Sequence, residues 1–244
     1  MHFIELVRPG AWVKHESAEA AHEIYMLLIA MEEQIAGAAI ALSMFEAASA
    51  SVDEYSEERD RIRREVEAAL RAELGDRFYE NHRESMVELD IRSVRKMLEN
   101  GVPPGAYQFK LRFIHAHSFV YSLDMFGKLL AVLAGQPGVS DVLLPVLAEF
   151  NDKTPYLDKV RNSAAHLEDR LRGFLKMGHE KKGVRFQGPL TISNLENNAL
   201  TYTVDDGTVQ RIPITPETLN TMAAAMNRVY QSLVWEGDRE LVHR

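Results

Sequence analysis

One long tract at helical spacing constrains the fold of this chain more than any other feature. Between Ser17 and Ser49 apolar residues recur every three or four positions, and Ser17 is placed to cap the segment. Its most apolar part, Ile24 to Phe45, is interrupted by three polar residues, Glu32 to Gln34. A membrane span needs roughly 18 or more apolar residues in a row. The tract therefore predicts a long helix in the core of a protein that does not span a membrane.

Further helical patterns follow, separated by glycine and proline breakers. A first group of predicted helices comprises Ser51–Leu74, Glu84–Glu99, Tyr107–Ala134 and the short Asp141–Phe150. The breaker segment Asn151 to Pro155 then leads into a helix predicted over Tyr156–Gly173. The fold class is therefore mainly α, and we expect a helical up-and-down bundle over residues 1–178.

The residue pattern of the sequence changes from helical to β-prone after Gly178. Short β-prone runs follow, which are Val184–Phe186, Leu190–Ile192, Leu200–Val204 and Val209–Ile214. Asp205-Asp206-Gly207 is a hairpin turn signal between the last two runs. Thr215 and Pro216 then begin a closing helix that extends to Trp235. We expect residues 179–244 to form a small antiparallel β meander plus a C-terminal helix, packed on the same core as the bundle.

Composition and charge narrow the class of function. Cysteine is absent, which excludes disulfides, thiolate metal sites and a cysteine nucleophile. Because the first 14 residues also lack a basic stretch followed by an apolar run, we expect a cytoplasmic location. The net charge of -8 disfavours a generic coat on nucleic acid, yet residues 159–185 carry a charge of +5 and the rest of the chain -13. That basic window is either a solvated helix end or a surface for an anionic partner.

The helix predicted over Tyr156–Gly173 carries the candidate functional residues. Its apolar stripe comprises Leu157, Val160, Ala164, Leu167, Leu171 and Phe174. At about 100° per residue, Asn162 lies nearly opposite that stripe, His166 on the same outer side and Arg161 on the flank. These polar side chains therefore face solvent, a partner or a substrate.

An Arg followed by Asn, with a His at the end of a six-residue motif on a late helix, resembles the motif of the HEPN superfamily. The resemblance implies a helical bundle that forms a homodimer, so that two motifs meet in one cleft. It further implies metal-independent RNA cleavage that leaves a cyclic phosphate, with Arg161 and His166 as the catalytic pair and Asn162 as their polar supporter. HEPN proteins include toxins and phage-defence effectors, so an antitoxin or another operon partner protein is an expected binding partner.

The residue types suit that chemistry. An imidazole titrates near neutrality and can exchange a proton with the ribose 2′-OH, while a guanidinium offers a fixed charge for the phosphorane. No metal and no cofactor are expected. His115, His117 and Asp124 suit a metal site poorly, because a two-residue spacing splays the two rings on a helix. Asp205 to Gly207 resembles a calcium turn, but the remaining ligand spacing is missing.

Several alternatives remain open from the sequence. The same spacing of Arg and His recurs at Arg77 with His82 and at Arg112 with His117. The family's common Tyr two places after the motif His is replaced by Glu168. The motif residues could instead belong to ordinary surface ion pairs, such as Asp158 with Arg161 or Glu168 with Arg172. The second functional hypothesis is a non-catalytic HEPN-like module that binds a nucleotide, an RNA or a partner protein.

Overall fold

The computed structural model describes residues 1–50, 52–172, 174–177, 183–185 and 194–242. The protein is mainly helical, with small antiparallel sheets. Its helices are α1 (Ala18–Ala50), α2 (Val52–Leu74), α3 (Arg77–Glu80), α4 (His82–Glu99), α5 (Gly105–Ala134), α6 (Ser140–Lys153), α7 (Leu157–Ala165), α8 (Leu167–Leu171) and α9 (Pro216–Ser232). Its strands are β1 (Val7–Arg8), β2 (Trp12–Val13), β3 (Phe174–Met177), β4 (Gly183–Arg185), β5 (Asn194–Glu196), β6 (Ala199–Thr203), β7 (Val209–Pro213), β8 (Trp235–Glu236) and β9 (Glu240–Leu241).

The chain divides into two compact units. Unit 1 comprises Met1–Ser43 and His115–Arg244, and unit 2 comprises Met44–Ile114. The predicted division at residue 178 lies outside the described residues and stays a prediction. In unit 1, α6 packs against α9, and α7 packs against β6 and β7. In unit 2, α2 packs against α4, and Leu70, Phe78 and Leu89 form a buried cluster.

The predicted helices are confirmed with small shifts at their ends, apart from the segment that begins at Tyr156. Helix α1 buries Ile24, Leu28, Met31 and Ile35 completely. By length and composition α1 also qualifies as a membrane-spanning helix, with a mean hydropathy of 1.5 in its most apolar window. Core helices of soluble proteins share that property. The cytoplasmic location therefore stays a prediction.

The predicted meander is present in part, as a three-stranded antiparallel sheet in the order β5-β6-β7. Strands β6 and β7 correspond to the predicted runs Leu200–Val204 and Val209–Ile214, whereas β5 lies outside the predicted runs. Leu200 lies opposite Leu195 on one side and Ile212 on the other. The turn between β6 and β7 is closed by the Gly207 N–H, which donates to the Val204 carbonyl, and Gly207 has a φ of 83°. The run Leu190–Ile192 lies outside the described residues. At the closing helix, the Thr215 hydroxyl accepts from the Thr218 N–H, so the predicted cap is confirmed.

Two features of the sheets were not predicted from the sequence. Strand β4 pairs with β3. Strand β3 begins at Phe174, the last residue of the apolar stripe that was predicted to be helical. Near the N-terminus, β1 pairs with β9 and β2 pairs with β8, so the first residues of unit 1 are joined to its last ones. These strands are two residues long, which is too short for a periodic pattern to reveal.

Candidate functional site

Helix α7 and the residue that follows it carry the predicted motif. Val160 and Ser163 are fully buried on the face that meets the meander. The helix ends at Ala165, and His166 leaves helical geometry with φ −111° and ψ 45°. The prediction of a continuous helix over Tyr156–Gly173 is therefore wrong, because the helix is interrupted at His166 and is followed by the short helix α8.

The helix break also changes the predicted apolar stripe. Leu157 and Val160 are buried as predicted, but Leu171 is 66% exposed. Since a change of backbone geometry at His166 resets the helical phase, side chains beyond it no longer continue the face that starts at Leu157. Among the stripe residues whose side chains the structure describes, the buried ones are Leu157 and Val160 on α7, and Ser163 completes that buried face.

The side chain of Arg161 is anchored from beneath by a buried carboxylate on α5. Its Nε lies 3.3 Å from Oδ2 of Asp124, whose side chain is 4% exposed. Lys128 Nζ approaches the same oxygen at 2.6 Å. A buried carboxylate must be paired, so Asp124 fixes the position of the guanidinium. This partner replaces Asp158, which the sequence had suggested for Arg161.

Asn162 lies beside the same guanidinium. Nη1 of Arg161 donates to the Asn162 side-chain oxygen at 3.2 Å. Arg161 therefore uses one N–H donor on Asn162 and forms an ion pair with Asp124, and its side chain is still 33% exposed. Asn162 is thus in direct contact with Arg161, and the guanidinium keeps donors for an anionic ligand.

His166 is placed at the exposed end of α7. Its backbone N–H donates to the Asn162 carbonyl at 3.0 Å, which ties the histidine to the helix it follows. Its side chain is 60% exposed, and Nδ1 lies 3.7 Å from Oε1 of Glu168. Asp169 pairs with Arg172 at 3.7 Å, in place of the suggested pair between Glu168 and Arg172. The imidazole is accessible to a substrate or a partner, with a carboxylate beside it.

Three side chains at and near His166 are of types that bind metal ions. His166, Glu168 and Asp169 each offer a ligand atom, and these atoms lie within 4.8 Å of one another. Glu168 is 67% exposed, and exposed carboxylates are commonly this close without an ion. The arrangement would suit a cation with mixed nitrogen and oxygen ligands.

A groove of about 420 Å³ adjoins Arg161, since Asp124 contributes to its wall. Lys128 lies on the same wall, and Phe150 and Leu157 contribute apolar surface. Tyr156, 46% exposed, has a left-handed backbone with a φ of 64°. Such a conformation costs a non-glycine residue energy and occurs often at functional sites. The groove is thus lined by Tyr156, by Lys128 and by Asp124, the carboxylate that pairs with Arg161.

The meander is tied to α7 next to the motif. Lys159 Nζ donates to Oδ2 of Asp206 at 2.8 Å. This bond, together with the bonds from Thr208, holds the pKa of the Asp206 carboxyl well below its usual range. The Asp206 carboxylate therefore serves an ion pair and the hairpin turn, which accounts for the residues that resembled a calcium loop.

The two other pairs of Arg and His with the motif spacing lie in different environments. Arg77 and His82 lie at the ends of separate helices, and both are exposed. The Arg112 guanidinium lies 5.7 Å from the centre of the Phe45 ring. His117 Nε2 lies 3.0 Å from the hydroxyl of Tyr202. His117 and Asp124 therefore have separate partners, which argues against the metal site considered from the sequence.

The sequence does not reveal that Asp124 is the partner of Arg161. The spacing of Asp124 and Lys128 is that of an ordinary surface pair on a helix, and no signal in the sequence marks the carboxylate as buried.

In a comparison with known proteins, no family model, no curated protein and no solved structure matches this chain.

Proposed function

We propose that this protein is a metal-independent endoribonuclease of HEPN type that acts as a homodimer, as a toxin or a defence effector. The observation that supports the proposal best is the anchoring of Arg161 by the buried Asp124, with Asn162 beside it and His166 exposed at the end of the same helix. A cation held in place before the substrate arrives stabilises developing charge without a cost of reorganisation.

The proposed reaction uses these side chains in named roles. His166 removes the proton from a ribose 2′-OH, whose oxygen then attacks the adjacent phosphorus. Arg161 stabilises the charge on the phosphorane oxygens. The bond from phosphorus to the 5′-oxygen breaks, and that oxygen takes a proton, which leaves a cyclic phosphate and a 5′-hydroxyl. Because one protomer supplies one motif His, separate acid and base roles require His166 of the partner subunit.

The first prediction concerns activity and assembly together. The purified protein is expected to cleave single-stranded RNA in excess EDTA, because proton transfer and charge stabilisation come from side chains. Light scattering at micromolar concentration is expected to give the mass of a dimer, with the outer face of α7 in the interface. A monomer that cleaves RNA would contradict the composite site, and a dimer that leaves RNA intact would contradict the nuclease proposal.

The second prediction tests the anchor. Asp124→Asn is expected to lower the rate of RNA cleavage about 10- to 100-fold, the usual cost of losing a group that orients a functional side chain. Since Arg161 acts on the transition state, kcat should fall more than KM rises. The measurement is steady-state cleavage, normalised to the folded fraction from circular dichroism. Asp152→Asn, at an exposed position of α6, is the matched control and should cleave at the parental rate.

The alternative function is a non-catalytic HEPN-like module that binds a nucleotide, an RNA or a partner protein. The observation that favours its partner-protein form is the carboxylate of Glu168 beside His166, since negative charge there opposes the approach of the phosphate that binding or cleavage of RNA requires. Under this alternative Glu168→Gln strengthens RNA binding without any cleavage. Under the nuclease proposal the same variant cleaves RNA at least as fast as the parent.

A further inference from the structure

The groove beside Arg161 has the size and the walls of a site for a small ligand. Its volume of about 420 Å³ falls within the roughly 300–1,000 Å³ of small-molecule sites. Helix α5 forms one wall and contributes Lys128. The end of α6 and the start of α7 form the other wall, where Phe150 and Leu157 are apolar and buried. All of these elements belong to unit 1.

Two cations lie side by side at this groove. Leu157 and Asp158 line it, and Arg161 lies one helical turn beyond them on α7. Lys128 Nζ and Arg161 Nε contact the same oxygen of Asp124, at 2.6 Å and 3.3 Å. The side chain of Lys128 is 50% exposed, and its ammonium keeps two N–H donors beyond the one used on Asp124. A phosphate that binds Arg161 is therefore within reach of Lys128 as well.

Tyr156 contributes an exposed aromatic ring to the same groove. It is 46% exposed, and its φ of 64° is a conformation that glycine adopts freely and tyrosine only at a cost. Lys159 Nζ lies 6.0 Å from the centre of the ring. Stacking on an exposed aromatic ring adds to the affinity for a nucleic acid whatever the base. The ring is therefore suited to hold a planar group in the groove.

We propose that the groove binds one nucleotide of the RNA, with its base against the Tyr156 ring and its 3′-phosphate between Lys128 and Arg161. The inference rests on the proposed function for the identity of the ligand, and it makes Lys128 and Tyr156 substrate-binding residues. Asn151 and Asp158 supply polar groups to the groove. Their side-chain oxygens can accept from the N–H donors of a base. The negative charge of Asp158 suits those donors and disfavours a phosphate at its own position.

Calorimetry on the full chain tests the groove with the four nucleoside 3′-monophosphates, their nucleosides and inorganic phosphate as probes. The tightest nucleotide should bind at least about 10-fold more strongly than its nucleoside or phosphate alone, because the nucleotide alone engages both the ring and the cations.

Removal of the ring is the sharpest variant. Tyr156→Gly should weaken nucleotide binding about 10- to 100-fold, the scale of one lost stacking contact. It should not lower the unfolding temperature, since glycine adopts the left-handed backbone without strain, so the loss cannot come from misfolding. Tyr156→Phe keeps the ring and should bind at least 10-fold more tightly than Tyr156→Gly.

Lys128→Gln should weaken nucleotide binding about 10-fold, the usual cost of a lost hydrogen bond to a charged group, and should affect the nucleoside less. Lys153→Gln is the matched control and should bind as the parent does. Lys153 is 51% exposed and pairs with Glu149 at the same four-residue spacing, but it lines a different, smaller cavity with Arg228.

The outcomes separate the groove from the nuclease. Absence of nucleotide binding at millimolar concentration overturns the proposal, and so does binding that is no tighter than that of phosphate or that Tyr156→Gly and Lys128→Gln both retain. RNA cleavage by Tyr156→Gly with the parental KM also overturns it and leaves the nuclease standing. Nucleotide binding that both variants lose, in a parent that cleaves no RNA, supports the groove and refutes the nuclease.

Discussion

Replacement of Glu32 by alanine is expected to lower the free energy of unfolding of unit 1 by about 3–5 kcal/mol, the usual cost of breaking a buried ion pair. Glu32 lies on α1 with a side chain 3% exposed, and both of its carboxylate oxygens accept from one edge of the Arg8 guanidinium. Nε of Arg8 donates to Oε1 at 2.7 Å, and Nη2 donates to Oε2. The variant leaves Arg8, whose side chain is 11% exposed, with only the more distant and 39% exposed carboxylate of Glu240, at 3.5 Å from Nη1.

The same carboxylate also joins the two ends of the chain. The hydroxyl of Tyr230, on α9, donates to Oε1 of Glu32. Burial, followed by the bond to Glu32, raises the pKa of that hydroxyl well above its usual range. Arg8 lies in β1, which pairs with β9. Loss of Glu32 therefore removes one hydrogen bond to α9 and two to β1 at once.

Urea unfolding followed by circular dichroism measures the effect. Glu33→Ala, the next residue along α1 and exposed, is the matched control and should change the free energy of unfolding by less than about 0.5 kcal/mol. Glu32→Gln keeps the shape and accepts hydrogen bonds, so its loss should lie between the two. A Glu32→Ala variant as stable as the control would show that the ion pair contributes nothing net to the fold.

Helical periodicity predicted most of the fold because it repeats over many residues. Helices α1, α2, α4, α5, α6 and α9 each present several buried positions at helical spacing, and breakers mark their ends. The hairpin at Asp205 to Gly207 was also readable, since its turn residues are specific. The pairing of β1 with β9 and of β2 with β8 has no such signal, because two-residue strands are defined by their partners far along the chain.

The candidate site was predictable as a set of residues but not as a geometry. Arg161 and Asn162 are in contact on α7 and His166 follows its end, yet the helix break at His166 could not be predicted. Leu167 and Leu171 continue the apolar spacing beyond the break, so the pattern alone indicates an unbroken helix. The burial of Asp124 was hidden for a different reason. The sequence does not show whether a single acidic residue in an apolar helix faces solvent or pairs with a cation on another helix.

Loss of the motif side chains should abolish most of the proposed activity. His166→Ala and Arg161→Ala are each expected to slow RNA cleavage roughly 10²–10³-fold, the scale for one acid–base or charge-stabilising group. The contact with Asp124 complicates the second variant, because removal of Arg161 leaves a buried carboxylate with one fewer cation. Arg161→Lys answers this point, since it keeps the charge near Asp124 and loses the planar fork that binds phosphate.

The choice of controls follows from the structure. Arg112 has the same spacing to a histidine, but its Nε is buried without a hydrogen-bond partner among the described residues and its guanidinium lies over Phe45, so its loss would disturb packing. Arg77→Ala and His82→Ala are better matched, because both side chains are exposed, and both should cleave at the parental rate. Parental cleavage by the His166 variant would refute the site assignment, and so would a loss confined to Arg77→Ala. Loss in the Arg161 and His166 variants alone, with unchanged circular dichroism, would tie the chemistry to α7.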